Sequence, residues 1–341
     1  MSQTANNLKR CSKCYVSNKL PNIHLNESGV CNLCLTHNEV EHLENEKKAL
    51  KDMLVVFKNV KEASKNIAAY DCVVALSGGK DSSYVLKYLV EEHGLRTLAI
   101  TIDNGFLSTQ AIENSRKLCG NLQSDFLLFK PKFEYMRELY ISGLEKENSS
   151  KPMIKRASDL CTNCINLINS IMLKEALMRN ISLVVGGYIS GQVPKGGSVM
   201  KLHLKTLINF AQIREKKHLT DEGYGPKLVD FSRFTNGQSI KICNPFLAVK
   251  YNESEILKSL EHLGWQRPDD TGVHSSNCRI NDLGILNHQK KYGFHPYELE
   301  VSEQVRNGSL TYAKAKEKID AKIDHQRTEN VKTVLFSVPP K

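Results

Sequence analysis

The sequence predicts an α/β protein: a parallel sheet covered by helices, preceded by a small metal-held module and followed by an α-helical subdomain. Three observations predict it. Apolar strands alternate with helix-period segments from residue 70 onward. The first of those strands runs directly into Ser77, Gly78, Gly79 and Lys80. Two Cys-x-x-Cys pairs fall within the first 40 residues.

The first unit, residues 1–40, holds Cys11 and Cys14 and, after sixteen intervening residues, Cys31 and Cys34. Two such knuckles suit four thiolates around one tetrahedral Zn²⁺, and a closed four-cysteine shell leaves no open position for catalysis. The expected role is structural, because so short a segment cannot build a core unaided. A linker helix is expected over residues 41–69, where Leu43, Leu50, Leu54, Val55 and Phe57 recur at helical intervals within a charged segment from Glu39 to Lys65.

The nucleotide-binding domain is expected over residues 70–250. Strand 70–76, helix 82–93, strand 97–102, helix 108–120 and strand 126–129 form a β-α-β-α-β series, and such alternation implies a parallel sheet. A helix at about 165–179 leads to a further strand at 181–187 that ends in Gly186 and Gly187. Residues 190–240 read as a substrate-facing loop with one helix. Their densest basic zone, Lys195, Lys201, Lys205, Arg214, Lys216 and Lys217, reads as a solvated face. The remainder, 251–341, is the helical subdomain, with one helix at 252–263 and at least two more within 280–325.

The junction at 77–83 carries the chemistry. Gly78 and Gly79 can adopt backbone angles closed to other residues and bring main-chain N–H groups to an anion, at a helix N-terminus whose partial charge is positive. Ser77, Ser82 and Ser83 add hydroxyls, Lys80 can hold phosphate charge, and Asp81 is a candidate Mg²⁺ partner or helix cap. The spacing is not that of the ordinary P-loop, which has four residues between its glycine and its Gly-Lys-Ser/Thr. Asp103, Asn104 and Gly105 end the second strand at the carboxyl edge, where open α/β sheets bind ligands.

A second set of cysteines stands outside the knuckles. Cys161 and Cys164 form a Cys-x-x-Cys pair just before a helix, and Cys278 follows far downstream. They suit an iron–sulfur or sulfur-handling site, a second zinc completed by His274, or unliganded packing, with Cys243 a competing third ligand. Cys72 and Cys119 read as core residues.

The stretch from Ser77 to Ser83 resembles the pyrophosphate loop of the PP-loop ATP pyrophosphatases, of the adenine nucleotide alpha-hydrolase-like fold. That resemblance implies cleavage of ATP between its α- and β-phosphates, with Mg²⁺, and adenylation of a substrate oxygen. It also implies that the strand end at Asp103 borders the nucleotide, and Gly187, which ends another strand at the same edge, is a further candidate nucleotide contact. With the zinc knuckles, the loop and the internal Cys-x-x-Cys in order, most of the chain resembles the N-acetyl sugar amidotransferases of bacterial surface-polysaccharide pathways. The likeness continues in Tyr292, Gly293 and Phe294, in the segment from Val305 to Thr311, and in Ala313 and Ala315. It implies an N-acetylated nucleotide-sugar whose acetamido oxygen is replaced by ammonia from a partner glutaminase, since no cysteine–histidine glutaminase motif is present.

The segment from Asp270 to Cys278 departs from that pattern, which has no cysteine there. PP-loop sulfur-transfer enzymes, some of which modify tRNA, resemble the alternative. In some of them a Cys-x-x-Cys pair and one distant cysteine hold a [4Fe-4S] cluster with one iron open to sulfide. Cys161, Cys164 and Cys278 would fill those positions.

The chain has 341 residues, ten cysteines and a formal charge of +10, which suits polyanionic ligands without naming one. Without a signal-like N-terminus or a long apolar run, the expected compartment is the cytoplasm, with no membrane and with cysteines reduced.

Overall fold

The computed structural model describes residues 8–147, 149–194, 196–203, 205, 224–228, 230–232, 234 and 239–337. Six strands form one sheet: β1 (Cys72–Ala75), β2 (Thr97–Ile102), β3 (Asp125–Phe129), β4 (Leu183–Val185), β5 (Val199–His203) and β6 (Ser239–Cys243). Their order is β3-β2-β1-β4-β6-β5, parallel throughout except that β5 runs antiparallel to β6 at the edge. The expected parallel α/β sheet is present, as are the N-terminal four-cysteine cluster and the helical C-terminal region.

Side chains alternate across each strand, so the sheet carries a core on both faces. Val73, Leu98, Ile100, Ile102 and Val184 pack with helices 133–145, 159–178 and 325–336. Cys72, Val74, Ala99, Val185 and Cys243 face the other way, against helices 39–64, 80–87 and 109–121 and against Trp265. Cys72 and Cys119 are buried in that second core, where small apolar residues pack.

Helix Glu39–Ser64 begins on Asn38, whose side chain accepts from the Val40 and Glu41 N–H groups. Its buried stripe is Ala49, Met53, Phe57 and Val60. Leu43, Leu54 and Val55, three of the residues that predicted it, are exposed. Both sets share the helical period, and the position of the sheet selects between them.

Two further differences concern element boundaries. The stretch 190–240 was expected to be a loop with one helix; a short helix, Tyr224–Leu228, lies in it, but so does β5, and β6 begins at its end. Those strands read Val-Met-Lys-Leu-His and Ser-Ile-Lys-Ile-Cys, with polar residues interleaved, and their ladder hydrogen bonds define them more than burial does. Lys201 lies on β5 and Lys205 is exposed, whereas Lys195, Arg214, Lys216 and Lys217 lie outside the described residues. Helix Asp159–Met178 starts six residues before its expected boundary at 165, because Ser158 caps it by accepting from the Cys161 N–H at 3.2 Å. Cys161 and Cys164 therefore lie inside the helix, three residues apart on one face.

The C-terminal region contains helices Glu253–Glu261, Asn281–Tyr292, Glu298–Arg306, Tyr312–Asp320 and His325–Phe336. The cysteine module packs its small core of Val16, Leu20, Ile23 and Val30 onto Ile154 and Phe294. Among the described residues no helix is long and apolar enough to cross a membrane.

Candidate active site

β1 delivers the loop to the carboxyl edge of the sheet. Gly78 takes φ +74°, and its carbonyl accepts from the Trp265 indole at 2.9 Å and from the Asn114 amide at 3.4 Å. Gly79 is the N-cap of helix Lys80–Lys87. The Ser82 hydroxyl stands 3.0 Å from that of Ser77 and accepts from the Ser77 N–H at 3.1 Å, which folds the turn back on itself. Ser83 is fully buried, and its hydroxyl has no hydrogen-bond partner among the described residues. Gly187, past the end of β4, lies so close that an added Cβ would stand 3.0 Å from the Ser82 nitrogen. Ser77, Gly78, Gly79, Lys80, Asp81, Ser82, Ser83 and Gly187 thus share one place.

Lys80 does not point freely over the loop. Its ammonium donates to both Asp81 oxygens at 2.8 Å and to the Tyr251 hydroxyl at 2.7 Å, and it stands 3.6 Å from Glu253. Burial works to lower the Lys80 pKa, but Asp81 and Glu253 outweigh it and hold the amine above the usual lysine value. Burial likewise pushes Glu253 upward, and Lys80 together with Lys318, at 2.9 Å, outweighs it and holds the carboxyl below the usual range.

A depressed carboxyl stabilises the fold above its unfolded pKa, and that contribution is lost as pH falls through the folded value. Glu253 is a third exposed, so solvent screening limits its share to about 1 kcal/mol. Thermal melts between pH 7 and pH 3 are expected to show the wild type losing stability over Glu253→Gln as the carboxyl protonates. Parallel curves would exclude this contribution.

Asp103 is turned to its own turn: its carboxylate accepts from the Gly105 N–H at 2.9 Å and faces Lys130 at 3.2 Å. Its neighbour Asn104 is 4% exposed and reaches the second cysteine set. The Asn104 amide donates to Cys164 Sγ at 3.5 Å and to Cys278 Sγ at 3.6 Å. The Tyr140 hydroxyl also touches Cys164 Sγ, at 3.5 Å, and Asn281 donates to Cys161 Sγ at 3.8 Å. Cys161, Cys164 and Cys278 therefore converge. Burial raises all three thiols, Cys164 to about 11 and Cys278 to about 12.

Cys278 is coupled to the loop through its own segment. The Ser276 hydroxyl accepts from the Lys80 N–H at 3.1 Å, the Ser108 N–H donates to the Asn277 carbonyl at 2.8 Å, and Cys278 bridges to Leu107. Ser276, at the glycine turn, and Cys278, at the thiols, are two residues apart in one segment. Cys243 does not join them, because it points into the core on the opposite face of the sheet. His274 packs its ring 4.6 Å from His295 and 5.5 Å from Tyr297, and burial lowers its pKa to about 4. Among the described residues Cys11, Cys14, Cys31 and Cys34 form the one group whose ligand atoms all lie within 4.8 Å of one another; Cys161, Cys164, Cys278 and His274 do not form so close a group.

At that N-terminal site Cys11 and Cys34 sulfurs are 3.9 Å apart and Cys14 and Cys31 sulfurs 3.6 Å apart. Backbone N–H groups of Lys13 and Cys31 donate to Cys11 Sγ at 3.4 and 3.2 Å. The four cysteines could hold a metal ion.

Sequence reasoning missed Asn104, Tyr140, Trp265, Tyr251, Glu253, Ser276 and Asn281. Asn104 was visible only as a residue of the strand end at the carboxyl edge, not as a partner of the cysteines. The others come from segments whose approach to the loop is set by tertiary packing.

No family model matches the chain. It is 26% identical over 314 residues to an uncharacterized protein of Methanocaldococcus jannaschii, covering 91% of this chain and 93% of that one. Among solved structures it is similar to an NH3-dependent NAD synthetase from Campylobacter jejuni (14% identity, 85% of this chain and 100% of that one, TM-score 0.35). A U34-tRNA thiolase from Methanococcus maripaludis, solved with its [4Fe-4S] cluster, is similar at 17% identity, 92% and 89% coverage and a TM-score of 0.36. An NMN synthetase from Francisella tularensis is similar at 13% identity, 88% and 93% coverage and a TM-score of 0.34. Likeness at this level decides nothing about the reaction.

Proposed function

We propose that the chain is an ATP-dependent enzyme of the PP-loop pyrophosphatase kind that adenylates a carbonyl oxygen of its acceptor and exchanges that oxygen for sulfur. One observation carries the reading: Ser276 touches the loop at the Lys80 N–H, and Cys278, two residues on, shares an amide donor with Cys164. The activating half and a thiol trio are thereby neighbours.

In this reading the loop from Ser77 to Ser83 holds the β- and γ-phosphates of ATP, with Asp81 toward Mg²⁺ once Lys80 turns from its carboxylate. The acceptor oxygen attacks the α-phosphorus and pyrophosphate leaves. A sulfide species then adds to the activated carbon, and AMP departs with the former carbonyl oxygen. Positioning and electrostatic stabilisation supply most of the rate.

The trio suits a [4Fe-4S] cluster better than a single ion. Thiolates on three different irons need not crowd as closely as the ligands of one zinc, and Cys161, Cys164 and Cys278 do not form a group within 4.8 Å of one another. Such a cluster, held by Cys161, Cys164 and Cys278, would supply an open iron for sulfide. To the N-terminal four cysteines we assign zinc in a structural role. A charge of +10 suits an acceptor that carries phosphate, an N-acetylated nucleotide-sugar or a tRNA. The nitrogen exchange implied by the sugar amidotransferase resemblance shares the adenylation half, but it gives the thiol trio no task.

Anaerobic purification tests the choice. The expected protein is brown, binds about four irons per chain besides zinc, and loses colour and iron, but not zinc, when Cys161, Cys164 and Cys278 all become Ala. A colourless wild type that binds zinc alone would return the exchange step to nitrogen.

A further inference from the structure

We infer that Asn104 is a positioning residue that sets the stability and reduction potential of the iron–sulfur centre by donating both hydrogens of one amide to two of its sulfurs. The inference rests on the sulfur-exchange reading, since it needs a cluster on Cys161, Cys164 and Cys278.

The orientation of that amide is fixed. Asn104 Oδ1 accepts from the Phe106 N–H at 2.9 Å, so the NH2 end must face the sulfurs of Cys164 and Cys278. The opposite flip would set a carbonyl oxygen against both sulfurs and an NH2 group against an N–H, losing three contacts at once. The Tyr140 hydroxyl, 3.1 Å from the Asn104 carbonyl oxygen, pins the same residue from its backbone. Asn281 donates to Cys161 Sγ at 3.8 Å and to the Tyr297 hydroxyl at 2.6 Å, but its Oδ1 has no partner among the described residues, so this amide is not locked as that of Asn104 is.

Each of the three sulfurs thus meets a neutral amide N–H, and at Cys164 and Cys278 that amide is held by its own oxygen. Two thiols in an apolar core would need no such donors, because a thiol accepts weakly and packs as a small hydrophobe. Thiolates do need them. Hydrogen bonds to cluster sulfurs tune reduction potential, since donors favour the more negative reduced form.

The test uses the anaerobically purified full chain with its cluster. Asn104→Asp keeps the acceptor for the Phe106 N–H but replaces two donors with negative charge, and Asn104→Ala removes the donors alone. Both are expected to shift the cluster midpoint potential to more negative values, Asp further than Ala, and to speed iron loss to a chelator several-fold. Zinc content and thermal midpoint check that the variants fold. If Asn104→Asp does not fold, Asn104→Ala and Asn281→Leu carry the same comparison. Variants that hold the cluster with unchanged potential and unchanged iron-loss rate overturn the inference alone. A wild type that takes up no iron overturns the sulfur-exchange reading as well.

Discussion

Gly78→Ala is expected to abolish ATP-dependent pyrophosphate release and to destabilise the fold by about 3 kcal/mol or more. Two costs combine. Gly78 sits at φ +74°, where a side chain is strained, and its added Cβ would stand 1.8 Å from the Ala111 carbonyl oxygen and 2.5 Å from the carbonyl carbon. That obstacle is the backbone of helix Thr109–Asn121 and cannot rotate away. The loop must therefore move, and it would break the Trp265 and Asn114 contacts to the Gly78 carbonyl. Gly79→Ala is the control: its Cβ meets the Ser276 hydroxyl at 2.9 Å, a small side chain that can turn, at normal φ. Its effect on stability should be smaller. Denaturant melts and a pyrophosphate assay on both variants check this, and Gly78→Ala with normal release would remove the loop from the ATP site.

The sequence carries the loop because the geometry there is local: a buried strand, a turn that only glycine allows, and a helix start within ten residues. The same holds for the two N-terminal knuckles, whose spacing alone brings four sulfurs together. It does not hold for Cys161, Cys164 and Cys278. Their meeting depends on a segment 114 residues beyond Cys164 returning along the loop through Ser276, and sequence spacing says nothing about that path. Lys80 shows a second limit. Its type fits phosphate binding, yet Tyr251 and Glu253, which engage its ammonium, come from a different element altogether. Cys243 and Cys278 look alike as distant cysteines; which face of the sheet each reaches separates them, and that is decided by β6 and by the bridge of Cys278 to Leu107.

One buried carboxylate gathers the main polar contacts that attach the cysteine module. Glu298, 2% exposed at the start of helix Glu298–Arg306, accepts from the Ser17 N–H at 3.0 Å, the Ser17 hydroxyl at 2.6 Å, the Arg10 guanidinium at 3.2 Å and the His295 N–H at 3.3 Å. Glu298→Ala leaves all four donors without their acceptor and is expected to cost about 3–5 kcal/mol, the usual price of breaking a buried charge pair from one side. Glu298→Gln retains one acceptor oxygen and should cost less. The loss falls on the module's contact with helix Glu298–Arg306; its other attachments are the apolar contact with Ile154 and Phe294, the Arg306 donor 3.4 Å from Cys14 Sγ, and Tyr15, which packs with Val301, Ala315 and Ile319 and donates to Asp320. Limited proteolysis should therefore cut Glu298→Ala within the first 40 residues before the sheet domain opens, with any metal the four cysteines hold released at the same rate as cleavage. If the module stays protected and the melting temperature falls by less than in Glu298→Gln, the carboxylate is not what holds it.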